Sequence, residues 1–449
     1  MGLSFLTFLL SLVMWAPIVD HHQWLFHPPP FLSHSHRLPP SSLDSMKRGF
    51  LNKPPKSSAQ AEPKAPDLAE CKAQTSQKTD TSPVQIPTVA EPLPKPSRFI
   101  TFPPRSFNFN MVSLPLVKSR PEEPVVLCLL YPEAREKLLA IPGFPTPFIP
   151  PPAYYLLPQK PYEIRSAPGM GTAMFASVAL QLGDLILQER PICLIPLAFP
   201  AVAMTTAEQV VEKLLENLSP LNRMEFYQLH NCKGKELSQL RGIMDTNCLS
   251  IGALPGPYQG TNAVVCRDLS RINHSCAPNA EHKWDLNSMT FSVRAVRPIQ
   301  PGEQISITYE YTFQSRAERQ STLKEKYSFT CVCSSCTLQA KESARSDIRR
   351  AILDVASSQV TEAIRTQDAA IKNWAMHPTA VEDQITKRSR RVLDYMEEEG
   401  IYDEHLFSTH SAWLCKVYSV LRNREAVVKL AKRAAVISTA VLWERWWME

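Results

Sequence analysis

The sequence predicts a mixed chain, with a mainly β unit split by a helical insert and an all-helical C-terminal part. Three observations carry this. Between Tyr162 and Tyr309 the apolar residues fall in short runs bounded by Gly and Pro turns, the pattern of short strands. Inside that stretch, residues 205 to 245 change to steps of three and four residues, the period of an amphipathic helix. Beyond Cys336 the helical period continues toward the C-terminal end.

Taken in order, residues 1–124 mix Pro, Ser, Lys and Thr, and most of the 40 prolines lie before residue 162. Without apolar periodicity such a region is expected to be disordered. Its histidines (His21, His22, His27, His34, His36) have no fixed spacing and read as incidental. The apolar stretch Leu3 to Val13 is too short to span a bilayer, and no basic residue precedes it. Secretion is therefore not expected, and a nuclear or cytoplasmic location is. Residues 125–160 read as a linker holding one short strand near Val125 to Leu130.

Residues 161–310 make the folded β unit. Strands are expected at Tyr162 to Arg165, Met174 to Ala176, Leu185 to Leu187, Val264-Val265 and Thr290 to Val293. Turns are expected at Gly169-Met170-Gly171 and Leu182-Gly183-Asp184. Val210, Val211, Leu214, Leu215 and Leu218 make the apolar face of the insert, at about residues 205–245. Ile305 and Ile307 alternate with Gln304, Ser306 and Thr308, giving a last strand that ends at Tyr309. Residues 311–338 form a cysteine-rich tail. Residues 339–449 carry four apolar stripes: Ile348, Ile352 and Val355; Val392, Leu393 and Met396, closed by Gly400; Leu406 to Leu421; and Ala426 to Ala434. Paired helices of this kind suggest a helical-hairpin, tetratricopeptide-like array, although no consensus repeats. The tryptophan-rich end, Trp443 to Trp447, is expected to be buried.

The 11 cysteines of this 449-residue chain do not read as a disulfide framework, and the clustered ones point to metal ligands in a reducing compartment. The net charge of +6 is mild and spread along the chain, so sequence-specific nucleic-acid binding is not expected. Cys331, Cys333 and Cys336 supply three thiolates, and a closed structural zinc site needs four. Cys276 is the natural fourth. Three thiolates with an open water position would instead make a catalytic zinc. Asn273, just before it, offers one acceptor and two donors, and Asn273-His274 reads as a binding pair. Tyr309 and Tyr311 share a strand face. Tyr327 and Phe329 sit beside the metal, where an aromatic can stack on a planar ring or wall an apolar channel.

Arg271-Ile272-Asn273-His274-Ser275-Cys276, the run Gly302 to Tyr309 and the Cys331, Cys333, Cys336 tail together resemble the SET-domain protein lysine methyltransferases. The likeness is greatest to the SET-and-MYND group and its fungal relatives, and it covers roughly residues 160–340. The MYND zinc module is missing, because the insert holds only Cys232 and Cys248. The resemblance implies a SET fold, small twisted sheets around a pseudo-knot, with a zinc-binding tail at 311–338. It implies S-adenosylmethionine held by Met170, Gly171, Thr172, Asn247, Asn273 and His274, with Phe329 stacked on the adenine. It implies Tyr309 as the catalytic tyrosine, Tyr311 and Tyr327 as walls of a lysine channel, and structural zinc on Cys276, Cys331, Cys333 and Cys336. A protein substrate with a target lysine (histone or non-histone), no membrane and a monomeric state complete the expectation. Ala173 stands where the family usually has glycine, and a Cβ there would be costly if the position needs a positive φ or a close backbone approach to the ligand. An inactive scaffold for protein–protein contact is the alternative.

Overall fold

The computed structural model describes residues 109–119, 123–148, 160–197, 204–256, 261–378 and 382–439. The expected disorder before residue 109, the histidine-rich patch and the tryptophan-rich end lie outside the described residues.

Among the described residues, four small sheets make the β unit. The largest has the order β1-β2-β6-β8-β7, from Asn110–Leu114, Val126–Leu130, Cys193–Pro196, Asn262–Val265 and Cys248–Gly252. Its inner strands β2, β6 and β8 are nearly continuous apolar runs because both faces are covered, whereas the edge strand β7 is half-exposed. One face meets the main core. The other carries the insert helices α2 (Met204–Glu216), α3 (Pro220–Tyr227) and α4 (Gln239–Asn247), whose Val211, Leu214, Leu215, Phe226 and Met244 are buried against it. The insert therefore forms as its period predicts, and its buried positions are those the stripe named.

The N-terminal boundary is corrected. β1 falls inside the region expected to be disordered, yet it pairs antiparallel with β2 from Asn110↔Leu130 to Leu114↔Val126. Glu123 is also buried there. Its carboxylate accepts from Arg190 Nη1 at 2.7 Å and from the Ser119 and Phe148 amides. Both side chains of this ion pair are at most 1% exposed. Proline density hid a strand whose partner lies within the stretch read as a linker. That linker holds β2 and the short helix α1 (Pro132–Leu139).

A hairpin of β3 (Tyr162–Ala167) and β4 (Gly171–Ala176) turns at Gly169 and Gly171, whose φ values are +73° and +73°. A second sheet has the order β10-β11-β5, from Ala280–Asp285, Thr290–Ala295 and Leu185–Glu189. The fourth pairs β9 (Asn273–His274) in parallel with β12 (Ser306–Ile307), in the register Ser306↔Asn273 and Ile307↔His274. β12 is thus shorter than expected, and Tyr309 lies beyond it in a bend.

Helix α5 (Arg316–Tyr327) opens the cysteine tail and was not anticipated. Ser315 and Glu318 form a capping box at its start, and Ser328 at φ +60° ends it. Then come α6 (Ala340–Ser358), α7 (Val360–Met376), α8 (Glu382–Glu399), α9 (Glu404–Val420) and α10 (Arg424–Thr439). α8 packs on α6 and α9, and α9 packs on α7 and α10. The stripe Ile348, Ile352 and Val355 is not the buried face of α6: Ile348 and Val355 are 61% and 50% exposed. Ser346, Arg350, Leu353 and Ala356 are buried instead, because the interface contains a polar network that hydrophobicity alone does not flag. No helix among the described residues is long and apolar enough to cross a membrane.

Candidate active site

The segment before β9 is held by two buried carboxylates. Glu189, at the end of β5, accepts from the backbone amides of Arg267, Asp268 and Leu269, which fixes the 3-10 turn Leu269–Arg271. Asp268 accepts from the Tyr162 hydroxyl at 2.6 Å and from Lys160 Nζ at 3.0 Å, tying the β3–β4 hairpin to the same turn. Burial and the neighbouring Asp268 charge push the Glu189 pKa up, although its three amide partners favour the anion. One weak signal in the chain marks Glu189, an acid closing a mostly apolar strand.

The other motif is locked by Asn279. Its amide nitrogen donates to the Gln304 carbonyl at 2.9 Å, and its oxygen accepts from the Ser306 amide at 2.8 Å. The Gly302 to Ile305 segment runs along β4, with Gly302 N to Ala176 O at 2.7 Å and Ile305 N to Met174 O at 2.8 Å. β12 is thereby delivered beside β9.

This pairing brings Tyr309 to His274. The Tyr309 amide donates to His274 Nδ1 at 3.0 Å, so Nδ1 is an acceptor and the ring proton sits on Nε2. Nε2 lies 3.3 Å from Cys276 Sγ and donates toward it. Burial holds the imidazole pKa down at about 4, which keeps the ring neutral. Both ring nitrogens are therefore engaged within the protein. The Tyr309 hydroxyl donates to the Ile272 carbonyl at 2.7 Å, and its ring lies 5.0 Å from that of Tyr327. Burial raises the pKa of both phenols, so neither ionises near neutrality.

Asn273 differs from these. Its Nδ2 is buried and has no hydrogen-bond partner among the described residues. Asn247 gives both amide hydrogens to the His230 and Ile243 carbonyls, at 2.7 and 2.8 Å. Asn247 and Tyr309 line one cavity of about 480 Å³ with Thr246, Ile272, His282 and Tyr327. That volume suits a small ligand or a side chain with its surroundings. Glu310 and Lys326 close one wall, with Lys326 Nζ 3.0 and 2.9 Å from the two carboxylate oxygens.

Met170, Gly171 and Thr172 form the exposed tip of the β3–β4 hairpin and do not line that cavity. The Gln304 amide lies 3.8 Å from Met170 Sδ. Ala173 is extended, not left-handed, and fully buried with Ala167 and Phe175, so its Cβ creates no backbone strain. Tyr311 is corrected. Because the chain bends after β12, the alternation of faces stops. Tyr311 turns away, donating to Asp354 on α6 at 2.6 Å and packing edge-on against Phe313 at 5.3 Å.

The four cysteines Cys276, Cys331, Cys333 and Cys336 converge, with all sulfurs within 4.8 Å of one another and Cys276 to Cys336 at 3.6 Å. Four sulfurs about 2.3 Å from a tetrahedral ion stand roughly 3.8 Å apart, so the set fits one zinc. Hydrogen bonds from Cys276 push Cys333 and Cys336 toward thiolate, the form that binds a metal ion. Gln320 on α5 grips the Cys331 backbone from both sides, donating to its carbonyl at 2.6 Å and accepting from its amide at 2.9 Å. Phe329 lies beside this cluster, its ring 6.2 Å from that of His274.

Residues 171–310 match the SET domain family. The chain is 28% identical over 190 residues to histone-lysine N-methyltransferase set5 of Schizosaccharomyces pombe, covering 42% of this chain and 54% of that protein. It is 35% identical over 125 residues to protein-lysine N-trimethyltransferase SMYD5 of Homo sapiens, covering 25% and 29%. With N-lysine methyltransferase SMYD2 of Homo sapiens it shares 23% over 218 residues, covering 46% and 49%. The chain thus spans about half or less of the length of these relatives. Over residues 171–310 it carries a SET domain, and there it resembles the lysine methyltransferases of the SET-and-MYND group.

Proposed function

We propose that this chain is an S-adenosylmethionine-dependent protein-lysine N-methyltransferase. The observation that carries the reading is the Asn273 carboxamide. An orphaned buried donor costs about 1–3 kcal/mol, and a ligand bearing a carboxylate or purine acceptors relieves that cost. Asn273, the main chain around His274, the Met170-Gly171-Thr172 tip, Asn247 and Phe329 would hold the cofactor. When bound, S-adenosylmethionine supplies a sulfonium methyl group to a nucleophilic amine. Cys276, Cys331, Cys333 and Cys336 would hold a structural zinc with no open position, which keeps Phe329 near His274.

The protein's own residues account for the rest of the chemistry. A free lysine with a pKa of about 10.4 is neutral only about 0.04% of the time at pH 7. The tyrosine walls of the cavity disfavour the ammonium and lower that pKa. Tyr309, fixed through its amide to His274 and its hydroxyl to Ile272, stays protonated. It acts by orienting the amine and excluding water, not as a base, and such alignment contributes several kcal/mol in general. The substrate would be a protein lysine, and a monomer acting in the nucleus or cytoplasm belongs to the same reading. The scaffold alternative rested on Ala173, whose extended backbone removes the φ objection.

Calorimetric titration with S-adenosylmethionine tests this. The parent and Tyr309→Phe should bind, and Asn273→Ala should bind about tenfold or more weakly. Equal affinity of Asn273→Ala and parent would remove the observation on which the reading stands.

A further inference from the structure

Two arginines lie buried against the cysteine cluster. Arg350 on α6 is fully buried and fully partnered. Its Nη2 donates to the Cys276 carbonyl at 3.1 Å and to Ser335 Oγ at 3.2 Å, and its Nε donates to Glu399 at 2.9 Å. Glu399 thus balances its charge. Arg319 on α5 is 2% exposed, with Nη1 on the Gln314 carbonyl at 2.5 Å. Its Nε and Nη2 are buried with no hydrogen-bond partner among the described residues, and no ion pair to a carboxylate is recorded for it. Its charge interacts most with the sulfurs of Cys276 and Cys336, and more weakly with Glu318, the neighbouring residue on the same helix.

A buried cation without a counter-ion is strongly unfavourable, so a group at this place must carry negative charge. Four thiolates on one divalent ion leave two net negative charges. We propose that Arg319 is the charge-balancing residue of the metal centre, with its free guanidinium edge facing the metal-bound sulfurs of Cys276 and Cys336. The capping box and the Gln320 clamp on Cys331 fix α5 so that Arg319 and Leu323, one turn apart, both face the cluster. Arg319 is a positioning residue, acting on the thiolates and through Cys276 on His274 and Tyr309. The inference rests on the zinc reading and extends it.

The test uses full-length protein loaded with zinc, and reads zinc release to a chromogenic chelator together with the thermal midpoint. Zinc should leave Arg319→Met about ten- to a hundredfold more readily than the parent, the usual scale for residues that support metal ligands. Arg319→Lys, which keeps the charge, should stay within about threefold of the parent. In the zinc-loaded state Arg319→Met should lower the thermal midpoint. After chelation it should leave the midpoint unchanged or raise it, since an unpaired buried cation has been removed. A purely packing role would lower the midpoint equally in both states, and that result overturns the proposal. So does equal zinc loss from the Met and Lys variants, or none from either. If Arg319→Met does not fold, Arg319→Gln is read in its place with the same outcomes. A parent that binds no zinc would instead overturn the zinc reading itself.

Discussion

Nδ1 of His274 accepts from the Tyr309 amide while Nε2 points at Cys276, so one imidazole spans the distance between Tyr309 and the cysteine cluster. From the sequence, His274 read as a cofactor ligand, but both ring nitrogens serve the protein, which leaves Asn273 as the side chain free to recognise a ligand. Tyr309→Phe should therefore cut methyl transfer by about a hundredfold or more while cofactor affinity stays near that of the parent, because the lost hydroxyl orients the amine. Steady-state turnover beside calorimetry separates the two effects, and a variant with unchanged turnover would reject the role. Tyr311→Phe, whose hydroxyl meets Asp354 outside the cavity, should leave turnover near that of the parent.

At the scale of elements, the β3–β4 hairpin, the Leu269–Arg271 turn and β12 meet through Asp268, Glu189 and Asn279. The N-terminal strands are joined to this unit by the Glu123–Arg190 pair. Glu123→Gln leaves Arg190 buried without its counter-ion and should cost about 3–5 kcal/mol in denaturant unfolding. A loss below about 1 kcal/mol would mean that Ser119, Phe148 and Arg190 find other partners. Most strands and the insert helices were legible because their apolar residues follow periods of two or of three to four, as Val211, Leu214 and Leu215 do. β1 was not, since it sits among prolines and its partner strand lies beyond Pro124. The buried face of α6 was missed for a different reason: Ser346 and Arg350 are polar, and their burial follows from contacts with Glu399, Cys276 and Ser335. Tyr311 was misplaced because alternation was carried past the end of β12.

For the whole molecule, acid sensitivity follows from buried neutral histidines. Burial holds His282 and His410 at about 4, against an ordinary value of 6.5. The unfolded chain takes up these protons from about pH 6.5 downward, and the folded chain does so only near 4. Stability is thus fully present above about pH 6.5 and declines as pH falls toward 4. Glu123 adds nothing to that decline near pH 5. Burial works to raise its pKa, but hydrogen bonds from Phe148, Ser119 and Arg190 outweigh it and hold the carboxyl at about 2, where its own contribution is lost. Glu281, which burial pushes up to about 7, works the other way, because the folded chain takes up its proton first, so the test is a comparison: between about pH 6.5 and 5 the thermal midpoint of His410→Asn should fall less than that of the parent. Equal falls in the two would contradict this. Removing zinc should also weaken cofactor binding, since Cys276 is two residues from His274 and the tail carries Phe329. The most direct test of the account is transfer of labelled methyl groups from S-adenosylmethionine to whole-cell protein extract, run with the parent and Tyr309→Phe side by side. Label on protein lysines with the parent, and little with the variant, is the predicted result. A zinc-loaded parent that binds S-adenosylmethionine yet labels no protein, or labels as much as Tyr309→Phe, would contradict it.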